Sequence, residues 1–161
     1  MHPGRLTALL LLAFSVLVSG CTKPAPAAAP APPPKHEHKP PHGGTPVVLG
    51  EEIYHIELVR DAATGTLQAY VFDGELENFI RSAVPALEID AMVNGQPRKV
   101  ILSAVANPAT GETVGDTALF EGREDWLKAT PEFDATLKTI TIRGTTFTSV
   151  KFNFPKGNDK D

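Results

Sequence analysis

The sequence holds five histidines, and four of them, His36, His38, His42 and His55, could do chemistry. Three fall within the run HEHKPPH, residues 36–42. A neutral imidazole is the commonest protein ligand for borderline divalent metals, so such a cluster points to metal binding. His36 and His38 are spaced for a flexible chelate. Taken alone, the pair also fits a solvated tether that carries histidines without binding anything. His42 precedes Gly43-Gly44, a pair permissive enough to fold the imidazole back over a neighbouring strand. Across the run Ile53–Arg60, period-two alternation puts Tyr54, Ile56 and Leu58 on one face and Ile53, His55, Glu57 and Val59 on the other. His55 and Glu57 then lie side by side, ~6.5–7 Å apart. Asp73 ends the next run and alternates with Leu67, Ala69 and Val71. Two imidazoles with one or two carboxylates would satisfy Zn(II), Cu(II) or Ni(II). The competing reading of His55 is a partly exposed strand residue paired with Glu57 and worth little to stability.

Other chemistry finds less support. Met92 is the only methionine beyond Met1 and the chain has a single cysteine, a poor start for a Cu(I) site. There is no His-Glu-x-x-His, no Gly-x-Ser-x-Gly and no glycine-rich phosphate loop. Ser82, Ser103 and Ser149 have no histidine near them in sequence. Asp73, Glu75 and Glu77 could form a carboxylate pair for glycoside hydrolysis, but they also read as a solvated acidic loop. Trp126, with Phe120 and Phe133, reads as a core plug. The expectation is a non-enzymatic binding protein. With 15 basic against 19 acidic residues, and no basic stripe, a nucleic-acid partner is not expected.

The elements that must position these residues read as short strands. Pro46–Leu49, Ile53–Arg60, Thr66–Asp73, Ala86–Val93, Lys99–Ala106, Thr117–Phe120, Thr136–Arg143 and Phe147–Phe154 are apolar or alternating runs separated by turn residues. Asn94-Gly95 is the strongest hairpin signal, and the last hairpin is expected around Gly144-Thr145-Thr146. Asp125–Ala129 suggests one helical turn, and Glu75–Ser82 is the one helical rival. Seven or eight strands without a long amphipathic helix predict an all-β antiparallel sandwich or barrel. The tail, residues 156–161, is polar and expected to fray.

Ahead of the strands, Arg5 and the apolar run Leu6–Val18 have the layout of a secretory signal peptide, too short to span a bilayer comfortably. Val18-Ser19-Gly20-Cys21 resembles the lipobox of bacterial lipoproteins. That resemblance implies removal of residues 1–20 and acylation of Cys21, leaving no free thiol. The stretch Thr22–Pro41, TKPAPAAAPAPPPKHEHKPP, has no large apolar residues and is expected to be a disordered Pro/Ala-rich linker. In polyproline II form, at ~3.1 Å per residue, it would reach roughly 60 Å. The chain is thus expected to divide into residues 1–20, the lipidated linker 21–41, a β domain 42–155 and the tail.

The runs His42-Gly43-Gly44, Tyr54–Val59 and Ala69–Gly74 together resemble a small periplasmic domain associated with heavy-metal efflux systems. Leu119–Phe120, Asp125–Leu127, Phe133 and Thr139–Gly144 resemble its second half. The likeness covers roughly residues 42–154. It implies an immunoglobulin-like β-sandwich and a role in metal handling beside an efflux complex. By motif position it carries over His42, His55, Glu57 and Asp73 as the polar constellation, with His36 and His38 as auxiliary ligands. The chain lacks the helical hairpin and lipoyl-like halves of an efflux adaptor. A lipid-anchored, periplasm-facing protein follows, and Thr22 after the cysteine is not the aspartate of inner-membrane retention, which favours the outer membrane. The alternative is a docking module of an envelope protein complex, with the histidines incidental.

Overall fold

The computed structural model describes residues 39–159, within the compact unit Lys35–Asp161. Along it run β1 (Thr45–Leu49), β2 (Tyr54–Asp61), β3 (Thr66–Asp73), β4 (Ala86–Val93), β5 (Gln96–Ala104), β6 (Leu119–Arg123), α1 (Trp126–Ala129), β7 (Phe133–Ile142) and β8 (Thr145–Phe154). Asn94 and Gly95, at φ 49° and 75°, make the β4–β5 turn, and Arg143 and Gly144, at 46° and 83°, make the β7–β8 turn. Two successive left-handed residues match the twist of antiparallel strands. The last turn therefore lies one residue earlier than expected.

All eight strands are antiparallel and form one sheet in the order β1-β2-β3-β6-β5-β4-β7-β8. The all-β expectation holds, but the two separate layers of an immunoglobulin-like sandwich do not. The two halves are stitched at β5–β6 through Ser103↔Glu121 and Ala104↔Phe120. At the opposite side Asn158 stands in for a strand residue. Its Oδ1 accepts from the Val48 N–H at 2.7 Å and its Nδ2 donates to the Val48 carbonyl at 3.1 Å. The Thr45 hydroxyl donates to the Pro155 carbonyl at 3.2 Å. First and last strands so meet, giving a nearly closed, barrel-like sheet. The expected frayed tail is corrected as far as Asn158, because these bonds satisfy an otherwise open strand edge.

Inward faces follow the alternation: Val47, Ile56, Leu58, Ala69, Val71 and Leu137 share one core. In β7 the buried set shifts phase from Phe133, Ala135 and Leu137 to Ile140 and Ile142. Opposite that step Ser149 sits at φ 54° and the Lys138/Ser149 pair is missing from the ladder. A local break of this kind bends a sheet. The helical rival at Glu75–Ser82 does not form. Leu76 takes φ 57°, and the chain returns along β3, with the Asp73 N–H donating to the Asn78 carbonyl at 3.0 Å and the Ile80 N–H to the Val71 carbonyl at 2.9 Å. Trp126 meets Phe133 edge-on, with ring centroids 5.2 Å apart.

Candidate functional site

The β2–β3 ladder decides what shares a face. It pairs His55 with Phe72 and Glu57 with Tyr70, and it pairs Tyr54 with Asp73. Directly opposed residues point to the same side of an antiparallel sheet. His55, Glu57, Tyr70 and Phe72 therefore occupy the outer face, while Asp73 lies with Tyr54 on the other. Both β2 residues are fully buried there.

Glu57 is buried because the segment before β1 folds over it. Its Oε1 accepts from the backbone N–H groups of His42 and Gly44, each at 2.8 Å. Its Oε2 lies 2.7 Å from His42 Nδ1. A buried carboxylate is tolerable only when its lone pairs are met in this way. Gly44 makes the approach possible, since a Cβ there would stand 2.5 Å from the Leu58 carbonyl oxygen and 2.9 Å from Glu57 Cγ. The requirement at Gly43 is different: it sits in open space at φ 68°, so backbone conformation and not room selects glycine.

The His42 ring is held on a second side by Tyr70, stacked at 4.0 Å between centroids with 15° between planes. Its side chain remains 35% exposed. An ionised carboxylate only accepts, so in the neutral ring this contact selects the tautomer with the proton on Nδ1 and the lone pair on Nε2. Burial, aided by the charge of Glu57 and then Glu121, pushes the Tyr70 hydroxyl above the usual tyrosine range. That hydroxyl donates to Gln68 Oε1 at 3.0 Å. Phe79 completes an aromatic ledge: its ring stacks on Phe72 at 4.6 Å and lies 6.2 Å from His42.

Of the four residues expected at the site, this geometry places three on one face and Asp73 on the other. His42 and Glu57 come together, and His55 shares their face with its Nδ1 3.4 Å from the Asp73 carbonyl oxygen. The Asp73 carboxylate does not join them. It caps the loop after β3, accepting from the Glu77 and Asn78 N–H groups at 3.0 and 3.2 Å and from Asn78 Nδ2 at 2.7 Å. Burial alone would raise its pKa, but these bonds outweigh that and hold it below the ordinary carboxylate range. Among the described residues no group of three or more His, Cys, Asp or Glu side chains is placed to hold a metal ion. Three of the roughly four acceptor positions of the Glu57 carboxylate are taken up by His42 and Gly44. His36, His38 and Cys21 lie outside the described residues.

Tyr70, Phe72 and Phe79 were not singled out by the sequence reading. The signal for the first two was present: alternation in β3 sets Tyr70 and Phe72 opposite the Asp73 face, and the hairpin register carries them to Glu57 and His55. Comparison with known proteins adds nothing to this picture, since no protein-family model, curated protein or solved structure matches the chain.

Proposed function

We propose that the chain is a lipid-anchored, periplasm-facing protein that binds a divalent metal ion, as an accessory to a metal efflux system. The observation that carries this reading is the His42–Glu57 pair. A carboxylate on one ring nitrogen fixes tautomer and orientation and raises the basicity of the other nitrogen, as in carboxylate–histidine–metal arrangements. The stack on Tyr70 removes the remaining rotational freedom. Glu57 thus supports the ligand instead of being one. His42 Nε2 is the donor from the described part of the site, and His36 and His38, within a few residues of it, supply further imidazoles. Nitrogen ligands of this kind suit Zn(II), Cu(II) or Ni(II). Calorimetric titration of the intact protein with Zn(II), beside a His42→Ala variant, tests the reading. Loss of binding in the variant supports it, and equal binding by both defeats it.

The second reading, docking within an envelope complex, is favoured by β5. Among the described residues its ladder to β6 is confined to Ser103 and Ala104, and Gly122 lies against Ile101, so residues 96–100 present an edge. Ile101 beside it is 54% exposed. Such an edge can receive a partner strand.

A further inference from the structure

The β7–β8 hairpin turns on Arg143 and Gly144 as the β4–β5 hairpin turns on Asn94 and Gly95, all four at positive φ. Asparagine suits the first of these positions, whereas an arginine there is held in a disfavoured backbone conformation. Arg143 lines a cleft of about 510 Å³, between the hairpin tip and the loops that carry Arg81, Pro85 and Asp116. That volume lies in the range of small-ligand sites. The walls are tied together. The buried Ser82 hydroxyl donates to the Thr141 carbonyl at 2.8 Å, joining the loop before β4 to β7. Arg81 donates through Nη1 to Asp116 Oδ2 at 2.9 Å and through Nη2 to the Thr110 carbonyl at 2.7 Å. Its guanidinium is thereby held in place with N–H groups to spare. Glu112 is engaged elsewhere, by the Thr110 and Thr117 hydroxyls and the Ala118 N–H. Arg143 differs: among the described residues it has no ion pair.

We propose that this cleft binds the carboxylate of a small organic ligand, gripped by the Arg143 guanidinium, with the ligand's body against Val84 and Pro85. The charge of the lining sets the class. Two guanidiniums against the single Asp116 carboxylate leave one positive charge, which one carboxylate neutralises. The planar fork of a guanidinium matches a carboxylate in two parallel hydrogen bonds. Arg81, fixed by Asp116 and Thr110, adds donors that need no rearrangement to meet the ligand. The apolar wall favours an organic body over a bare inorganic ion. A strained backbone kept where the side chain meets a ligand is a pattern of functional sites. None of His42, Glu57, Tyr70 or Phe79 lines the cleft, so this site stands apart from the metal reading.

The experiment follows the backbone amide resonances of Gly115, Thr141 and Gly144 in the full chain in detergent as phenylpropionate is added. Phenylpropionamide, with the same body and no charge, and inorganic phosphate, with charge and no apolar body, run beside it. N-acetylphenylalanine tests whether the carboxylate comes from a peptide chain end. Saturable shifts with one or both carboxylates are expected, and none with the amide. Binding should weaken at least about tenfold in Arg143→Asn, which loses the charged fork. That variant carries the usual residue of such a turn, so its thermal stability should equal or exceed that of wild type. Arg143→Lys keeps the charge without the fork and should bind more weakly than wild type. Tighter binding of N-acetylphenylalanine would assign the cleft to chain ends, and tighter binding of phenylpropionate to free small acids. No saturable shift with either carboxylate overturns the proposal. Equal affinity in wild type and Arg143→Asn also overturns it, as does amide or phosphate binding as tightly as the acids.

Discussion

His42 Nδ1 lies 2.7 Å from Glu57 Oε2, while the other carboxylate oxygen holds the backbone N–H groups of His42 and Gly44. One buried side chain so fixes both the imidazole and the backbone that carries it. If His42 is the metal ligand proposed above, stability and ligand affinity are coupled at Glu57.

Glu57→Ala should destabilise the domain by about 2–3 kcal/mol, because it removes the acceptor of the His42 and Gly44 backbone N–H groups and of the imidazole together. His42→Ala should cost about 1 kcal/mol, since the two backbone donors remain satisfied. Urea unfolding of the two variants measures the difference. Equal losses would show that the imidazole, not the backbone, provides most of the hold on Glu57.

Gly44→Ala should be more harmful than Gly43→Ala. At position 44 the new Cβ meets backbone, 2.5 Å from the Leu58 carbonyl oxygen, and relief requires the segment to lift off β2, at about 2–3 kcal/mol. At position 43 the cost is that of φ 68° alone, about 1 kcal/mol. Thermal melts should rank the variants in that order, and Gly44→Ala should also weaken metal binding.

The seam at Asn158 gives a third expectation. Asn158→Ala leaves both backbone groups of Val48 without their side-chain partner, a loss of about 1–2 kcal/mol. Hydrogen exchange should quicken at the Val48 amide while β4 and β7 stay protected. Unchanged exchange at Val48 would mean that the seam is closed by something other than this side chain.

Acid sensitivity follows from two capped carboxylates. Asp73 and Glu112 are both held below the ordinary range. For each, burial pulls the pKa upward but is outweighed, at Asp73 by the Asn78 side chain and neighbouring N–H groups and at Glu112 by Thr110, Ala118 and Thr117. A depressed folded-state pKa contributes stability that is present above the unfolded value and lost as pH falls through the folded one. Stability should thus decline below about pH 4, in the carboxylate range. Asp73→Asn should flatten part of that decline in a pH series of urea midpoints.

Much of the strand framework was legible in the sequence. Asn94-Gly95 gave the β4–β5 hairpin because only left-handed residues fit that turn, and the alternation of β2 placed His55 and Glu57 together. What alternation could not give was the pairing of distant strands. Asp73 was grouped with the site until register set it against Tyr54. Closure of the sheet depends on Asn158, a lone polar residue in a tail that carries no periodicity. Phe79 escaped notice because its segment pairs with β3 through isolated bridges and not through a strand with a pattern of its own.

The most direct measurement is nitrogen NMR of the His42 ring in the intact protein as Zn(II) is added. The account predicts that the Nε2 resonance moves on binding while Nδ1 stays protonated against Glu57, with binding fading below about pH 6 as imidazoles take up protons. If saturating Zn(II) leaves both ring nitrogens of His42 unmoved, the pair is a structural clamp and the metal-binding account is wrong.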